Sequence, residues 1–141
     1  ALTVNHTLTS LDLSANTLRD AGGQQIAACL LQNKNLQEIF LSLNNIGGKS
    51  CFIFSKVLRG HPTMSRLNLS DNPLTEAGAR SIFRTILRGL KCFVMMQNCT
   101  FSNESGLFNH SNPSLDSPYT LKLSEPYQLS VLSELIHMVN V

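Results

Sequence analysis

Apolar and polar positions in the first half of the chain follow a pattern with a constant 28-residue period. The segment from Leu8 to Leu18 reads Leu-x-x-Leu-x-Leu-x-x-Asn-x-Leu, in which x stands for any residue. The same apolar and asparagine positions are filled in the segments 36–46 and 64–74. Since a repeat of this length cannot bury its apolar side alone, the constant period predicts a solenoid whose core is built by stacking neighbouring repeats.

Each repeat begins with the pattern of a short strand. In residues 11–13, 39–41 and 67–69 an aliphatic residue occupies the first and third positions, and the middle position varies. In a strand, successive side chains point to opposite faces, so the aliphatic residues share one face. An asparagine follows each strand, and its amide can satisfy backbone groups of a tight turn. We interpret these residues as a structural ladder, formed by Asn16, Asn44 and Asn72.

The second half of each repeat has helical spacing. Asp20 is expected to cap the first helix, and Thr75 or Glu76 to begin the third. A small residue recurs where helix and sheet are expected to approach closely, at Gly22, Ser50 and Gly78. The predicted fold class is therefore α/β, a solenoid with parallel short strands on its concave face and helices on its convex face.

This repeat resembles the leucine-rich repeat, and the 28-residue period with a helical second half is similar to the ribonuclease-inhibitor-like subfamily. The resemblance covers roughly residues 1–100. Members of that subfamily share a curved binding surface rather than a reaction, so the resemblance implies protein binding and leaves the partner open.

The ends of the array are less regular. Leu2 lies one full period before Leu30, so the first residues resemble the tail of a helix from an earlier repeat, and we expect the chain to be a piece of a longer protein. We assign residues 1–101 to leucine-rich repeats, with about three full repeats and partial terminal units. Residues 90–98 fit a fourth copy if the third repeat is two residues shorter than the first two, which places Phe93 and Met95 in the core and Asn98 in the ladder.

Beyond these repeats the pattern changes. Residues 102–118 are rich in Ser, Asn, Pro and Gly and are predicted to form an irregular loop. Residues 119–141 are predicted to form a strand and a helix, as either a C-terminal cap or a divergent last repeat. No run of apolar residues is long enough to predict a membrane span.

The residues that could carry chemistry are scattered. The four histidines lie in no spacing that indicates a metal site or an activated nucleophile, and no glycine-rich phosphate loop is present. We therefore predict that the chain is not an enzyme and needs no metal or cofactor. The cysteines, which form no Cys-x-x-Cys pair, are interpreted as buried free thiols, and this favours the cytoplasm, including a cytoskeletal or ciliary context. They are Cys29, Cys51, Cys92 and Cys99.

Positive charge is concentrated in the middle of the chain. Residues 49–91 contain eight basic residues but only two acidic ones, Asp71 and Glu76. Four of the basic residues are predicted to share one helical surface, namely Lys56, Arg80, Arg84 and Arg88. This basic stripe is either a solvated convex face or an electrostatic docking site for an acidic protein surface. Nucleic acid is disfavoured because no aromatic residues are interspersed with these cations.

The concave face offers the predicted binding site. Alternation places five side chains there as candidate partner contacts, namely Asp12, Glu38, Phe40, Arg66 and Asn68. Phe40 is an aromatic residue among polar neighbours, a composition typical of an interface hot spot, unless another segment covers its ring. We predict a protein–protein interaction scaffold within a larger intracellular protein. A regulator of an enzyme partner, as an inhibitor or a GTPase activator, and the ligand-sensing region of an innate immune receptor remain open alternatives.

Overall fold

The structure is a computed structural model that describes residues 1–101 and 119–121. Strands and helices alternate along the chain, and four strands form one parallel sheet in the order β1-β2-β3-β4. The elements are β1 Ser10–Asp12, α1 Arg19–Leu30, β2 Glu38–Phe40, α2 Gly48–Gly60, β3 Arg66–Asn68, α3 Glu76–Leu87 and β4 Phe93–Met95. Each helix packs against the next, so the predicted α/β solenoid is confirmed.

The core lies between the sheet and the row of helices. The pairing places Leu11, Ile39 and Leu67 side by side, one from each of the first three strands. Ile39 and Leu67 are fully buried, together with Phe54 from α2 and Ile82 from α3. The burial of these residues confirms the predicted repeat register over the first three copies.

The predicted register of the fourth copy is wrong by one residue. Arg66 pairs with Phe93 and Leu67 with Val94, so the step from the third to the fourth strand is one residue shorter than the earlier steps, rather than two. Phe93 is therefore 64% exposed, whereas Met96 is 2% exposed and joins the core. A shift of one residue in the register exchanges the two faces of a strand. All four residues from Phe93 to Met96 are apolar, so the sequence pattern fits either register.

The asparagine ladder is present and continues into the fourth copy through a cysteine. The Asn44 side chain accepts hydrogen bonds from the backbone N–H groups of Asn16 and Leu18, at 3.0 and 3.3 Å. Cys99, not Asn98, occupies the next ladder position after Asn72, and its Sγ donates to the carbonyl of Leu69 at 3.1 Å. Asn98 is exposed and adopts a left-handed φ of 53°, which matches the φ of 57° at Asp71 in the preceding repeat.

Asp20 does not cap its own helix as predicted. The α1 helix has no side-chain cap, and the Asp20 carboxylate instead accepts from the N–H groups of Gly47 and Ser50, at 3.1 and 2.9 Å. These groups belong to the first turn of α2, so the cap acts between repeats. Thr75 caps α3 as predicted, because its hydroxyl accepts from the Gly78 N–H at 3.2 Å.

Two of the three recurring small residues, Ser50 and Gly78, lie between neighbouring helices rather than between helix and sheet, whereas Gly22 faces Leu18 next to its own helix. A Cβ atom added to Gly78 of α3 would lie 2.6 Å from the Cα atom of Gly48 in α2. A Cβ atom at Gly23 of α1 would likewise lie 2.5 Å from the Ser50 hydroxyl of α2. The helices of adjacent repeats therefore approach each other closely near their N-terminal ends.

A second ladder, which the sequence reasoning missed, runs along the edge where each repeat enters its strand. Asn5, Asn33 and His61 are spaced one period apart, and each accepts a hydrogen bond from a backbone N–H three residues later, at 2.7 to 3.1 Å. Asn33 also donates to the Asn5 carbonyl at 2.9 Å, and the His61 Nε2 atom bonds to the Asn33 carbonyl at 2.7 Å. These bonds link three successive repeats.

A second sheet forms after β4. Strand β5, Cys99–Phe101, pairs antiparallel with β6, Tyr119–Leu121. The alternation at residues 119–123 predicts a strand there, and the antiparallel pairing shows that this strand does not extend the parallel sheet. The predicted loop at 102–118 and the predicted helix after residue 121 lie outside the described residues.

Candidate binding face

The side chains that point away from the helices form two columns on what we call the open face of the sheet, the face predicted to be concave. The first column contains Ser10, Glu38, Arg66 and Phe93, and the second contains Asp12, Phe40, Asn68 and Met95. Neighbours within a column belong to adjacent paired strands, which lie about 4.8 Å apart. The five predicted contact residues therefore lie on one surface, as expected from the repeat.

Glu38 and Arg66 form an ion pair in the first column. The Arg66 Nη1 atom lies 3.3 Å from the Glu38 Oε1 atom, and the side chains are 47% and 32% exposed. The Ser10 hydroxyl donates to the other oxygen of Glu38 at 3.4 Å. An exposed pair of this kind contributes about 0 to 1 kcal/mol to stability. Its main effect is to hold the guanidinium group on the strand next to Phe93.

Asp12 and Asn68 have a structural role in the second column. Their side-chain oxygens accept from the backbone N–H groups of Ser14 and Ser70, each at 2.9 Å. Hydrogen bonds from the Ser14 hydroxyl and from its backbone N–H hold the pKa of Asp12 below its ordinary value. Phe40 occupies the same position in the second repeat and has no acceptor atom for such a bond. Its ring is half-buried, so part of it remains available on the open face.

Phe93 and Met95 extend the open face beyond the predicted residues. They follow Arg66 and Asn68 in the two columns, and together with Phe40 and Arg66 they form what we call the open-face patch. The sequence prediction placed Phe93 and Met95 in the core because it made the third repeat one residue too short. The buried pair Cys92 and Met96 is the signal that distinguishes the correct register.

The predicted basic stripe is not a set of equivalent cations. The Lys56 ammonium lies 4.1 Å from the centroid of the Phe52 ring, where a cation–π interaction stabilises it. Arg80 is only 27% exposed and forms an ion pair with Glu76 on its own helix. Arg84 and Arg88 are exposed. Two of the four predicted docking residues are thus already engaged within the chain.

The described residues show no constellation of catalytic type. All four cysteines are free, and burial raises the pKa of Cys92 and that of Cys99 to about 11. Burial also raises the pKa of Cys51, so these thiols stay protonated at neutral pH. Within residues 1–101 and 119–121, no group of three His, Cys, Asp or Glu residues could hold a metal ion. In the same part of the chain, no helix combines the length and apolar content of a membrane span.

Comparison with known proteins identifies the repeat. The family model described as "Leucine Rich repeat" matches residues 4–27, 32–52 and 60–83. The chain is a leucine-rich repeat protein. The three matched segments coincide with the three copies whose strands, helices and ladder asparagines the structure shows.

Two relatives show which kind of leucine-rich repeat this is. Ribonuclease inhibitor from Sus scrofa is 40% identical over 93 residues, which cover 62% of this chain and 19% of that protein. "NACHT, LRR and PYD domains-containing protein 3" from Mus musculus is 37% identical over 81 residues, which cover 57% of this chain and 8% of that protein. The repeats are of the ribonuclease-inhibitor-like type, and the chain spans less than a fifth of either relative.

Solved structures share the fold of this leucine-rich repeat array. The structure titled "Leiomodin-1 Actin-Binding Site 2 (ABS2)" superposes with a TM-score of 0.60 at 18% identity, covering 72% of this chain and 58% of that one. The tropomodulin C-terminal domain of Caenorhabditis elegans superposes with a TM-score of 0.59 at 13% identity, covering 67% and 58%. At these identities the likeness establishes the architecture and nothing about partners.

Proposed function

We propose that this leucine-rich repeat array binds a partner protein through the open-face patch of Phe40, Arg66, Phe93 and Met95. The observation that carries the proposal is Phe93, a 64% exposed aromatic side chain on a strand next to an ion-paired arginine. Phe, Met and Arg are enriched in the centres of protein interfaces, whereas Lys and Glu are depleted there. An exposed phenylalanine in a sheet contributes nothing to the core that would explain its presence.

The arrangement of the patch favours a folded or extended protein segment over a small ligand. Phe40 and Met95 lie two strands apart in the same column, about 10 Å from each other, with Asn68 between them. The residues are presented on strands whose inward neighbours are fixed by packing, so little conformational entropy is lost when a partner binds. Asp12 and Ser10 form a polar margin on the first strand.

Localisation in the cytoplasm is part of this proposal. All four cysteines are free, and three of them are buried thiols with a raised pKa, a state that a reducing compartment maintains. We also propose, as the sequence predicts, that the chain acts without catalysis, metal or cofactor. The described residues supply a binding surface rather than a reactive centre.

The test compares two single substitutions on the open face. Immobilised wild-type chain, Phe93→Ala and Ser10→Ala are exposed to cytosolic extract, and bound proteins are quantified by mass spectrometry. We expect a partner that wild type and Ser10→Ala retain and that Phe93→Ala loses. The partner is then purified and titrated by calorimetry, where Phe93→Ala should weaken binding by about 2 kcal/mol or more. Equal recovery by all three proteins would contradict the proposal.

A second candidate function is inhibition of an enzyme partner. It is favoured by the 40% identity to ribonuclease inhibitor, whose name states its own activity. The direct test adds the chain to a ribonuclease and follows hydrolysis of an RNA substrate, with Phe93→Ala as the matched variant. Inhibition by wild type but not by Phe93→Ala would identify the enzyme class that the open-face patch binds. Unchanged hydrolysis at a large excess of the chain would reject a ribonuclease as the partner.

A further inference from the structure

A cavity of about 240 Å³ lies where α2 and α3 end, on the opposite side of the repeat from the ladder asparagines. Leu58, Met64, Leu90 and Cys92 provide its apolar walls. Arg59, Arg88 and Lys91 also line it, and all three residues are exposed. The volume is below the range of about 300 to 1,000 Å³ typical of sites for drug-sized ligands, so the cavity suits one small group.

The second ladder explains why the cavity exists. Asn5, Asn33 and His61 fill successive positions of that ladder. Gly89, which has no side chain, takes the next position, since its N–H bonds to the Ile86 carbonyl as the His61 N–H bonds to the carbonyl of Leu58, 28 residues before Ile86. A Cβ atom added to Gly89 would meet no atom within 4 Å, and its φ of 87° is accessible mainly to glycine. The space that a ladder side chain fills in earlier repeats is therefore left open beside His61.

The charges around the cavity are all of one sign. None of the residues that line it carries a carboxylate, and no described residue forms an ion pair with Arg59, Arg88 or Lys91. Three cations without a carboxylate partner among residues 1–101 and 119–121 repel one another, and their interaction is stronger beside apolar walls than in open water. A bound anion would remove this repulsion.

The positions of two of these arginines have a partial local explanation. Arg59 lies in the last turn of α2 and Arg88 caps the end of α3, where a cation interacts favourably with the helix dipole. That explanation does not extend to Lys91, which follows the helix, or to the presence of all three basic residues in the lining of one cavity. Arg84, in the last turn of α3, does not line the cavity and serves as a comparison.

We propose that this cavity is a binding site for a single phosphate group, either free or carried as a phosphate monoester. Arginine side chains bind phosphate oxygens with charge-assisted hydrogen bonds, and a dianion matches a cluster of three positive charges. The site is distinct from the open-face patch and goes beyond the proposed protein-binding function.

His61 provides an internal reporter of the bound anion. Burial lowers its pKa, the charge of nearby Lys34 lowers it further, and the hydrogen bond to the Asn33 carbonyl opposes both effects. In the part of the chain that the structure describes, the charged residues that act on the ring or line the cavity with it are Lys34, Arg59, Arg88 and Lys91, all of them basic. Both ring nitrogens are already hydrogen-bonded to backbone groups, so we expect His61 to sense the anion electrostatically. A phosphate in the cavity should raise the pKa of His61.

The experiment uses the complete 141-residue chain, two probes, inorganic phosphate and O-phospho-L-serine, and L-glutamate as a carboxylate control. Binding is measured by calorimetry, and the His61 ring is titrated by NMR with and without each probe. Arg88→Gln and Arg59→Gln remove cations of the cavity, whereas Arg84→Gln removes one positive charge near the end of α3 but outside the cavity. All three arginines are exposed, and thermal melting checks that each variant is folded.

We expect saturable one-to-one binding that Arg88→Gln and Arg59→Gln each weaken about tenfold and that Arg84→Gln leaves within about twofold of wild type. Tighter binding of O-phospho-L-serine than of inorganic phosphate would identify a phosphorylated side chain as the source, and the reverse order a free anion. Absence of saturable binding would overturn the site, and so would equal losses in all three variants or glutamate binding as tightly as O-phospho-L-serine. Because Phe93 does not line the cavity, Phe93→Ala separates this result from the open-face proposal.

Discussion

Asn72 shows how a single side chain can join two repeats. Its Oδ1 atom accepts from the N–H groups of Asn44 and Ile46, at 3.0 and 2.9 Å. Its Nδ2 atom donates to three carbonyls, those of Leu41, Leu69 and Ser70. Only an amide side chain supplies both a paired acceptor and two donors, so no other residue type of this size satisfies the same buried groups.

We predict that Asn72→Ala destabilises the fold by at least about 3 kcal/mol, because several buried backbone groups lose their partners together. Asn16→Ala is the matched control, since Asn16 is exposed and its side chain bonds only to carbonyls of its own turn. Urea unfolding of the two variants measures the difference. Equal midpoints for both variants would show that the buried ladder hydrogen bonds add no more stability than hydrogen bonds to water.

The carboxylate of Asp20 makes stability depend on pH. Burial alone would raise its pKa, but the hydrogen bonds from Ser50, Gly47 and Lys49 outweigh this effect and leave the pKa below its ordinary value. The unfolded chain therefore takes up this proton first, at about pH 3.9, and the stabilisation present at neutral pH is lost as pH falls through the lower folded pKa. We expect Asp20→Asn to reduce the loss of stability between about pH 5 and pH 2, measured by urea unfolding at each pH. An unchanged pH profile would contradict the inter-repeat cap.

At the scale of elements, the N-terminal parts of α2 and α3 are in close contact. Gly78→Ala should destabilise the chain by about 1 to 3 kcal/mol, because its new Cβ atom would lie 2.6 Å from the backbone of Gly48. The control is Gly60→Ala at the end of α2, where an added Cβ atom meets nothing within 4 Å. Since alanine is favoured over glycine in helices, Gly60→Ala should be neutral or slightly stabilising. Thermal melting of the two variants provides the comparison.

The elements of the first three repeats could be predicted because local and global signals agree there. Leu67, for example, is fixed by its own alternation, by the 28-residue period and by Asn72 after it. The fourth strand lacks this agreement, since its ladder position holds Cys99 and its residues are apolar on both faces. The capping role of Asp20 could not be predicted either. Sequence rules assign a capping residue to the helix that begins beside it, here α1, whereas Asp20 caps α2 of the next repeat.

The residues of the open face were predicted in part for the same reason. Phe40, Arg66 and Asn68 lie in repeats of known register and were placed correctly on the open face. The predicted positions of Phe93 and Met95 depended on the register of the fourth strand, which was wrong by one residue, so both were missed. The phosphate cavity depends on Gly89, whose significance appears only when the ladder of Asn5, Asn33 and His61 is recognised in three dimensions.

At the scale of the whole molecule, burial increases from the first repeat toward the middle. Leu11 and Leu67 occupy equivalent positions, but Leu11 is only partly buried, whereas Leu67 is fully buried between two neighbouring strands. We predict that Leu67→Ala lowers stability by about 2 to 5 kcal/mol and Leu11→Ala by less than half as much. Denaturant titration of this matched pair tests whether each repeat is stabilised mainly by its neighbours. Equal losses would mean that the first strand is covered as completely as the third.

The direction of the asparagine ladder has a consequence for synthesis on the ribosome. Asn44 and Asn72 each satisfy the turn of the repeat before them, so a repeat is complete only when its successor has emerged and docked. Folding during translation should therefore lag by one repeat behind the chain that has left the exit tunnel. At Cys99 this dependence takes another form, because the thiol donates to the Leu69 carbonyl and accepts from the N–H of Asn72, while the N–H of Leu74 bonds to the carbonyl of Asn72 at 2.9 Å. The third turn therefore still needs the fourth repeat, because the Asp71 N–H donates to the Gln97 carbonyl at 2.8 Å and the Asn98 amide donates to the Asp71 carboxylate at 3.1 Å.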